Sequence, residues 1–389
     1  MYSFIYRTLI IVLMTMMPAG SRLLAQSVGT SLMDSVEIGI ITCSPHDEVY
    51  SHYGHTALRC HDLRTGEDVV FNYGIFNYAK PHFVLRFILG HTDYELGVAP
   101  TKAFCRYYAR WGSEVTEHVL ALTPEEKINL IAALRDNFQP QNRVYRYNFF
   151  YDNCATRPRD MVERNIMGKV EYEPRPGYEP SFRQMIRQMT EQYPWATFGN
   201  DILLGLTADL KTTQREQHFL PANLRSDLER AMVDRGGKRQ PLVSQTRQLV
   251  PPGEQVSEPG FPLRPLVCSL LLLALSAVVF IYEQAKHTTA RWFDVVLMTM
   301  TGLAGTVLFV MLFSEHPTTS TNLQVLLLNP LPFLFVWKVA RGKKTQWFNI
   351  QLALTILFFI GGLWQSYAEG MYVLALCLLL RDLRHYHDK

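Results

Sequence analysis

The chain has 389 residues, of which 48% are hydrophobic, and its formal net charge at pH 7 is +3. This length is enough to bury at least one sizeable core. The small positive charge does not indicate a nucleic-acid-binding protein, because the basic excess lies largely in loops beside apolar segments near the C-terminus.

The first 26 residues have the pattern of a secretory signal peptide. Arg7 precedes an apolar run over residues 9–17, and Pro18, Gly20 and the Ala25-Gln26 pair follow. A basic start, an apolar middle and small residues near a cleavage point are the marks of such a signal. An uncleaved membrane anchor is the alternative. We therefore expect the next domain outside the cytoplasm.

Residues 27–239 are predicted to form one domain whose first half is rich in strands. The segments with strand-like composition are 36–42, 55–59, 69–74 and 114–121. A glycine-containing turn between the second and third of these predicts a hairpin. Thr123, Pro124 and the two glutamates after them predict a helix start, and that helix is expected to run to about Asn137.

The second half of this domain is more polar and predicts shorter elements. Short helices are expected around residues 180–192, 201–210 and 221–234. Residues 240–263 are rich in proline, glycine and glutamine, so they are predicted to be a linker.

The segment around Asn153-Cys154 carries the strongest indication of chemistry. Asp152 and Asn153 are residue types that begin helices, because a short side-chain oxygen accepts the free amides of the first turn. A cysteine at a helix start, close to Arg157 and further arginines, is expected to favour the thiolate form. A buried structural cysteine is the alternative interpretation of Cys154.

A histidine at the start of a predicted strand supplies the partner that a nucleophilic cysteine needs. His55 lies in the run YGHTALR, about a hundred residues before Cys154. A polarised thiol and an imidazole are the minimal parts of a cysteine–histidine acyl-transfer site. His52, three residues earlier, is the alternative base.

The remaining cysteines do not indicate a metal or a cofactor. Cys43, beside Pro45, is expected to be a packing residue. A Cys60–Cys105 disulfide is compatible with an oxidising compartment, but the spacing does not establish it. Since no C-x-x-C or H-x-x-x-H pairing suggests a metal site, we predict no metal and no cofactor.

From Pro265 onward the chain predicts a membrane domain over residues 264–389. The apolar stretches are about 265–282, 292–313, 323–338, 347–364 and 366–380. A helix that crosses a bilayer needs roughly 20 apolar residues. The third stretch is interrupted by Asn329-Pro330, and the fifth is short. We predict about five transmembrane helices.

The loop charges predict the orientation of these helices. Lysine and arginine occur in the first and third loops and at the C-terminus, whereas residues 314–322 and 365–370 contain neither. Basic loops remain in the cytoplasm, so the N-terminal domain is predicted to lie outside. His316, Asn329 and Glu369 then lie near the outer membrane face, as candidates for a substrate path or as solvated interfacial residues.

The order of these elements resembles the circularly permuted papain-like fold of NlpC-type peptidases and of the lecithin–retinol acyltransferase family. The run His55-Thr56-Ala57-Leu58 matches the histidine strand, and Asn153-Cys154 matches the cysteine helix. The resemblance implies a third polar residue on the next strand, and Asn72 is the candidate. In the acyltransferases that position is usually histidine. The implied class is α+β, followed by an α-helical membrane domain.

More of the chain resembles the Lnb family of bacterial lipoprotein N-acyltransferases. The matching runs are ITCSP (41–45), YSHYGHTALR (50–59), YDNCATR (151–157), HPTT (316–319) and LLNPL (327–331). The resemblance implies transfer of a fatty acyl chain from a phospholipid, through a Cys154 thioester, to the N-terminal amine of a diacylglyceryl-cysteine lipoprotein. It also implies a multi-pass protein of the cytoplasmic membrane with its catalytic domain in the periplasm.

Two other functions remain open from the sequence. A cysteine peptidase or amidase acting on peptidoglycan would have the same catalytic core but an open polar groove. A non-catalytic, membrane-anchored binding protein would be favoured if Cys154 were locked in a disulfide.

Overall fold

A seven-stranded sheet forms the centre of the first half of the chain in the computed structural model, which describes residues 32–76, 81–256 and 260–386. Its strands are β1 (Val36–Cys43), β2 (His55–Asp62), β3 (Glu67–Ile75), β4 (Asp93–Pro100), β5 (Val115–Leu120), β6 (Val144–Arg146) and β10 (Val243–Val250). They lie in the order β10-β5-β1-β2-β3-β4-β6, and every neighbouring pair is antiparallel. The signal peptide predicted over residues 1–26 lies outside the described residues.

Helices lie between and around these strands. They are α1 (Phe83–Ile88), α2 (Thr101–Arg110), α3 (Pro124–Asn137), α4 (Thr156–Asn165), α5 (Phe182–Met189), α6 (Pro194–Leu203), α7 (Gln214–Gln217) and α8 (Pro221–Leu228). Short 3₁₀ turns occur at Val49–Ser51 and Leu206–Asp209. The strands predicted over the first half and the helix predicted to end at Asn137 are confirmed.

Both faces of the central strand β1 are buried, because its apolar residues occupy both sets of alternating positions. Ile38 and Ile40 join one core cluster, which includes residues of α3, α4 and α8. Ile41 and Cys43 join a second cluster with α2. Successive side chains of a strand point to opposite faces, so the sheet is sandwiched between two helical layers.

The helix starting after Thr123 has the predicted capping arrangement. The Thr123 hydroxyl accepts the amide of Glu126 at 3.2 Å, and the Glu126 carboxylate accepts the amide of Thr123 at 2.8 Å. This reciprocal pair satisfies two donors that a helix start otherwise leaves free. The Glu126 carboxylate is buried and also accepts from Arg235 at 2.7 Å.

The segment predicted as a linker over residues 240–263 differs in the structure. Residues 243–250 are the edge strand β10, which pairs with β5. Arg247 of this strand donates to Glu37 of β1, and Leu249 and Val250 pack on the second core cluster. Strand pairing and these contacts outweigh the loop-like composition.

Two short helices predicted in the polar region also differ in extent. Pro194 begins α6 earlier than predicted, since proline is favoured at a first helical position, and the region predicted as helix over 201–210 ends in a 3₁₀ turn. The end of the helix predicted over 221–234 is instead strand β8 (Met232–Arg235). This strand lies between β7 (Lys169–Glu171) and β9 (Lys238–Pro241) in a small second sheet.

The C-terminal region is helical, with α9 (Pro265–Lys286), α10 (Arg291–Met311), α11 (Val336–Ala340), α12 (Trp347–Gly361) and α13 (Met371–Tyr386). Among the described residues only α9 and α10 are both long and apolar enough to cross a membrane. The third predicted stretch, 323–338, is not one helix but two 3₁₀ turns and the short α11. Pro330 and Pro332 explain the break, because proline lacks the amide donor that a helix requires.

Buried polar side chains attach the N-terminal domain to this helical region. Gln324 donates to the carbonyl oxygen of Asp201 at 2.8 Å, and Asn322 donates to that of Ile202 at 2.7 Å. Gln365 donates to the carbonyl oxygen of Leu204 at 3.2 Å. Asn322 and Gln365 belong to the two loops without lysine or arginine, 314–322 and 365–370, and Gln324 follows the first of them. These loops and the N-terminal domain therefore lie on the same side of the helical region.

Candidate active site

Asn153 fixes the turn that carries Cys154 immediately before α4. Its Oδ1 accepts the backbone amides one and two residues beyond Cys154, at 2.8 and 2.9 Å. Its Nδ2 donates to the carbonyl oxygens of Phe149 (2.9 Å) and Phe219 (2.8 Å). An N-cap side chain acts in this way on the free amides of a first turn, so Asn153 begins the helix as the sequence indicates.

His55 begins β2, hydrogen-bonds Asn72, and interacts with the thiol of Cys154, which raises the pKa of the imidazole. Its Nε2 lies 2.6 Å from the Oδ1 of Asn72. An amide oxygen only accepts, so Nε2 carries the proton and Nδ1 is the nitrogen left for the thiol. The thiol, the imidazole and the amide, which are distant in the sequence, therefore interact as one row.

The sheet opens beside this row. Strand β2 pairs with β1 over its whole length, but it pairs with β3 only from Leu58 onward. The amide of Thr56 lies in the unpaired stretch, and it contributes to lowering the pKa of Cys154. Gly74 of β3 lies against Cys154: its φ of +93° favours glycine, and a Cβ there would lie 3.5 Å from the Cys154 Cβ.

Cys154 and His55 shift each other's pKa in opposite directions. Burial alone would raise the pKa of Cys154, but the charge and hydrogen bond of His55 and the amides of Thr56 and Cys154 outweigh it, so this pKa lies below the usual thiol value. Burial alone would lower the pKa of His55, but Cys154 and the Asn72 hydrogen bond raise it above the usual value. These shifts favour a thiolate–imidazolium pair.

Arg157 was expected to favour the thiolate of Cys154 by its charge, but it is paired with Asp152 instead. Arg157 donates from Nε and NH2 to the two carboxylate oxygens of Asp152, at 2.6 and 2.7 Å. Its guanidinium also lies 3.5 Å from the centre of the Tyr145 ring. A cation held by a bidentate carboxylate has little charge to offer elsewhere. Asp152 and Arg157 therefore brace the turn, and the low pKa of Cys154 comes from His55 and backbone amides.

Two aromatic residues of α2, which the sequence pattern did not single out, form another wall of the site. The rings of Phe104 and Tyr108 lie 6.3 and 6.2 Å from the ring of His55, between centroids. Burial raises the pKa of Tyr108 well above its usual value, so its phenol stays neutral. Residues four apart share a helix face, but this spacing is equally typical of an ordinary core helix.

His52, the alternative base, and Cys43 are placed differently from the Cys154 row. His52 is buried, and its ring stacks on that of Tyr193 with 3.8 Å between centroids. Cys43 is fully buried, and burial raises the pKa of its thiol well above the usual value. Cys43 is therefore a packing residue, and His52 belongs to an aromatic stack.

The three candidates near the membrane face make contacts outside the Cys154 row. His316 Nε2 lies 2.8 Å from the carbonyl oxygen of Phe87. Asn329 bonds the backbone of its own loop, and Glu369 faces Arg264 at 3.6 Å. Among the described residues, no hydrogen bond joins any of the three to the row.

All six cysteines, Cys154 included, are free thiols, and Cys154 is half-buried. The Cys60–Cys105 disulfide that the sequence left open is not formed. Within the described parts of the chain, no three or more histidine, cysteine, aspartate or glutamate side chains are grouped to hold a metal ion.

Comparison with known families gives two matches that together cover most of the chain. The family model described as the Lnb N-terminal periplasmic domain matches residues 28–191. The model described as the Lnb transmembrane domain matches residues 256–389. No curated protein and no solved structure matches the chain.

Proposed function

The chain belongs to the Lnb family and is a membrane protein with a periplasmic domain; on that premise we propose that it transfers a fatty acyl chain from a phospholipid to the N-terminal amine of diacylglyceryl-cysteine lipoproteins. Family membership implies a lipoprotein N-acyltransferase-like function. The observation that carries the finer proposal is the row of Cys154, His55 and Asn72, in which His55 hydrogen-bonds Asn72 and interacts with the thiol. In this proposal Cys154 is the nucleophile, His55 is the acid and base, and Asn72 orients the imidazole.

In the first step the Cys154 thiolate attacks the carbonyl carbon of a phospholipid ester. A sulfur–carbon bond forms, and the bond from that carbon to the glycerol oxygen breaks. The His55 imidazolium gives its proton to the departing alkoxide, which leaves as lysophospholipid. The low pKa of Cys154 and the high pKa of His55 support these roles.

In the second step the lipoprotein amine attacks the thioester carbonyl carbon. A nitrogen–carbon bond forms and the sulfur–carbon bond breaks, which restores the thiolate. His55 is neutral after the first step, so it accepts the proton that the amine loses. Aromatic walls such as Phe104 and Tyr108 beside His55 favour the amine over water by limiting solvent around the thioester.

We propose that the fold of the periplasmic domain is the circularly permuted papain-like one. The order of a histidine at a strand start, a polar residue on the next strand and a cysteine before a helix that packs on the sheet supports this assignment.

We further propose that the C-terminal region crosses the cytoplasmic membrane with five segments, although only α9 and α10 have the length of a full span. The buried contacts from loops 314–322 and 365–370 to the periplasmic domain support the orientation in which the basic loops face the cytoplasm. A site held at the outer face of the bilayer has access to both lipid substrates.

The test is to incubate the full chain with phospholipid and measure its intact mass. A fatty acyl addition on Cys154 that hydroxylamine removes is expected, and Cys154→Ser should not form it. Addition of a diacylglyceryl-cysteine peptide should move the acyl group to its N-terminal amine and leave lysophospholipid. Cys60→Ser, the same change at another half-buried thiol, should behave like the wild type.

Two results would assign the chain to another class. Cleavage of soluble peptidoglycan fragments, with no acyl-enzyme formed from phospholipid, would make it a cysteine peptidase or amidase. Binding of lipoprotein without turnover of either substrate would make it a non-catalytic binding protein; the free thiol of Cys154 argues against that class.

A further inference from the structure

A small apolar pocket lies where the periplasmic domain meets the helical region. Its volume is about 100 Å³. On one side it is lined by Phe149 and Phe150, which belong to the turn before Cys154. On the other side it is lined by Met311, the last residue of α10, and by His316 in the loop that follows. Phe87, from the last turn of α1, also lines it. We call this space the junction pocket.

A row of aromatic rings runs from the rim of this pocket toward Cys154. Ring centroids are 6.4 Å apart for Phe87 and Phe83, 6.1 Å for Phe83 and Phe76, 5.1 Å for Phe76 and Tyr94, and 4.1 Å for Tyr94 and Tyr147.

The inner end of this row lies beside the candidate active site. Tyr147 is close enough to Cys154 for the charge of the thiolate to add to burial in raising the pKa of its phenol. The next residue, Asn148, lines the junction pocket. Phe149 also lines the pocket, and its carbonyl oxygen accepts from Asn153 next to Cys154. The pocket therefore lies against the turn that carries Cys154.

Helix α1 is held against the end of α10, one of the two helices long enough to span a membrane. His316 Nε2 lies 2.8 Å from the carbonyl oxygen of Phe87. The backbone amide of Glu315 donates to the carbonyl oxygen of Leu89 at 3.0 Å. Leu85 and Phe87 are nevertheless 54% and 42% exposed. Exposed large apolar side chains beside the end of a spanning helix are suited to contact with lipid.

We propose that the junction pocket, with Phe87 at its rim, admits the fatty acyl chain of the donor phospholipid from the outer leaflet to Cys154. This inference rests on the proposed function. The lining is mostly apolar, and a space of this size holds a few methylene groups but not a whole fatty acyl chain. The part of the chain next to the ester therefore lies in the pocket, and the remainder stays in the bilayer.

The experiment compares two acyl donors for the full chain in proteoliposomes of palmitoyl-oleoyl phosphatidylethanolamine. One donor is that phospholipid, and the other is water-soluble p-nitrophenyl butyrate, whose short chain does not need the pocket. Phe87→Glu places a charge at the rim, and it should slow acylation of Cys154 by the phospholipid about tenfold or more while acylation by butyrate stays near the wild-type rate. Leu63→Glu, the same kind of change at an exposed residue in the β2–β3 turn, is the matched control.

A second variant guards against a folding defect in the first. Leu203 also lines the junction pocket. Leu203→Phe adds bulk to this lining without adding charge, and it should also slow the phospholipid reaction more than the butyrate reaction. Thermal unfolding of each variant reports folding independently of activity.

The outcomes separate this inference from the proposed function. The inference would be overturned if both variants reacted with both donors at the wild-type rate. It would also be overturned if a folded variant lost the same fraction of its rate with each donor. Normal acylation with slowed transfer to a diacylglyceryl-cysteine peptide would also overturn it, by giving the pocket to the acceptor. If the wild type forms no acyl-enzyme from phospholipid, the proposed function itself fails.

Discussion

The 2.6 Å contact between His55 Nε2 and Asn72 Oδ1 determines which imidazole nitrogen faces Cys154. Because the amide oxygen holds the proton of His55 on Nε2, the neutral ring presents the lone pair of Nδ1 to the thiol. Asn72 is thus a positioning residue: it acts on the thiol only through the imidazole.

Replacing Asn72 with alanine should slow acylation of Cys154 by roughly 10- to 100-fold without abolishing it, the range typical of groups that orient a reacting residue. The Asn72 hydrogen bond is one of the interactions that raise the pKa of His55, so its loss should lower that pKa. The imidazolium form is lost as pH rises through this pKa. The alkaline limb of the rate profile should therefore move to lower pH, as measured by single-turnover acylation.

The variant Asn72→His provides the control for this prediction. A neutral imidazole retains a hydrogen-bond acceptor, so it should recover part of the rate that Asn72→Ala loses. An unchanged rate and pH profile in Asn72→Ala would mean that some other group orients His55.

The reactivity of Cys154 should depend on His55 in a defined direction. In the wild type the pKa of Cys154 lies below the usual thiol value, so its alkylation by iodoacetamide should persist toward neutral pH. In His55→Ala the main opposing interaction to burial is gone, and the alkylation profile should shift to higher pH. Site-resolved mass spectrometry measures this shift. Cys43, whose buried thiol has a raised pKa, should stay unmodified in the same sample, and coincident profiles for wild type and His55→Ala would contradict the assignment.

The sequence predicted which residues meet at the site but not why the thiol is acidic. Local rules explain the first part: Asn153 is a helix-starting residue, and His55 begins a β-rich segment. The second part depends on contacts between distant segments. The charge of Arg157 is neutralised by Asp152, and the amide of Thr56 is available because β2 and β3 do not pair there. Neither fact can be read from residue order.

The fold likewise contains features that local sequence rules predict and features that depend on contacts between distant segments. The Thr123 cap and the strands around β1 follow from composition and spacing. Strand β10 was missed because its pairing with β5 lies more than a hundred residues away in sequence, and its own composition is typical of a loop. The third apolar stretch was predicted as a helix on hydrophobicity, but two prolines interrupt it.

Asn153→Ala should destabilise the periplasmic domain by roughly 2–4 kcal/mol. The change removes two hydrogen bonds that cap α4 and leaves the half-buried carbonyl oxygen of Phe149 and the buried one of Phe219 without this donor. Thermal unfolding measures the loss. Asn165→Ala, which removes one half-buried hydrogen bond to Met161, should cost less, and an equal cost for both variants would contradict the capping role.

Arg381 should be critical for the stability of the helical region. It is 1% exposed and donates to Glu283 at 2.6 and 2.8 Å and to Asp294 at 2.7 Å. Replacing Arg381 with alanine leaves two buried carboxylates without their main cation. Loss of one partner of a buried ion pair lowers the free energy of unfolding by about 3–5 kcal/mol. The measurement is the unfolding temperature of the full chain in detergent.

Arg264→Ala is the matched control, because Arg264 is exposed and faces Glu369 at 3.6 Å. An exposed ion pair contributes at most about 1 kcal/mol, so this variant should unfold near the wild-type temperature. The triple variant Arg381→Met, Glu283→Gln, Asp294→Asn removes all three charges together, so neither carboxylate is left buried as a charge without Arg381. It should regain much of the stability that Arg381→Ala loses. If the triple variant is as unstable as Arg381→Ala, then packing of the arginine side chain, rather than its charge, holds α9, α10 and α13 together.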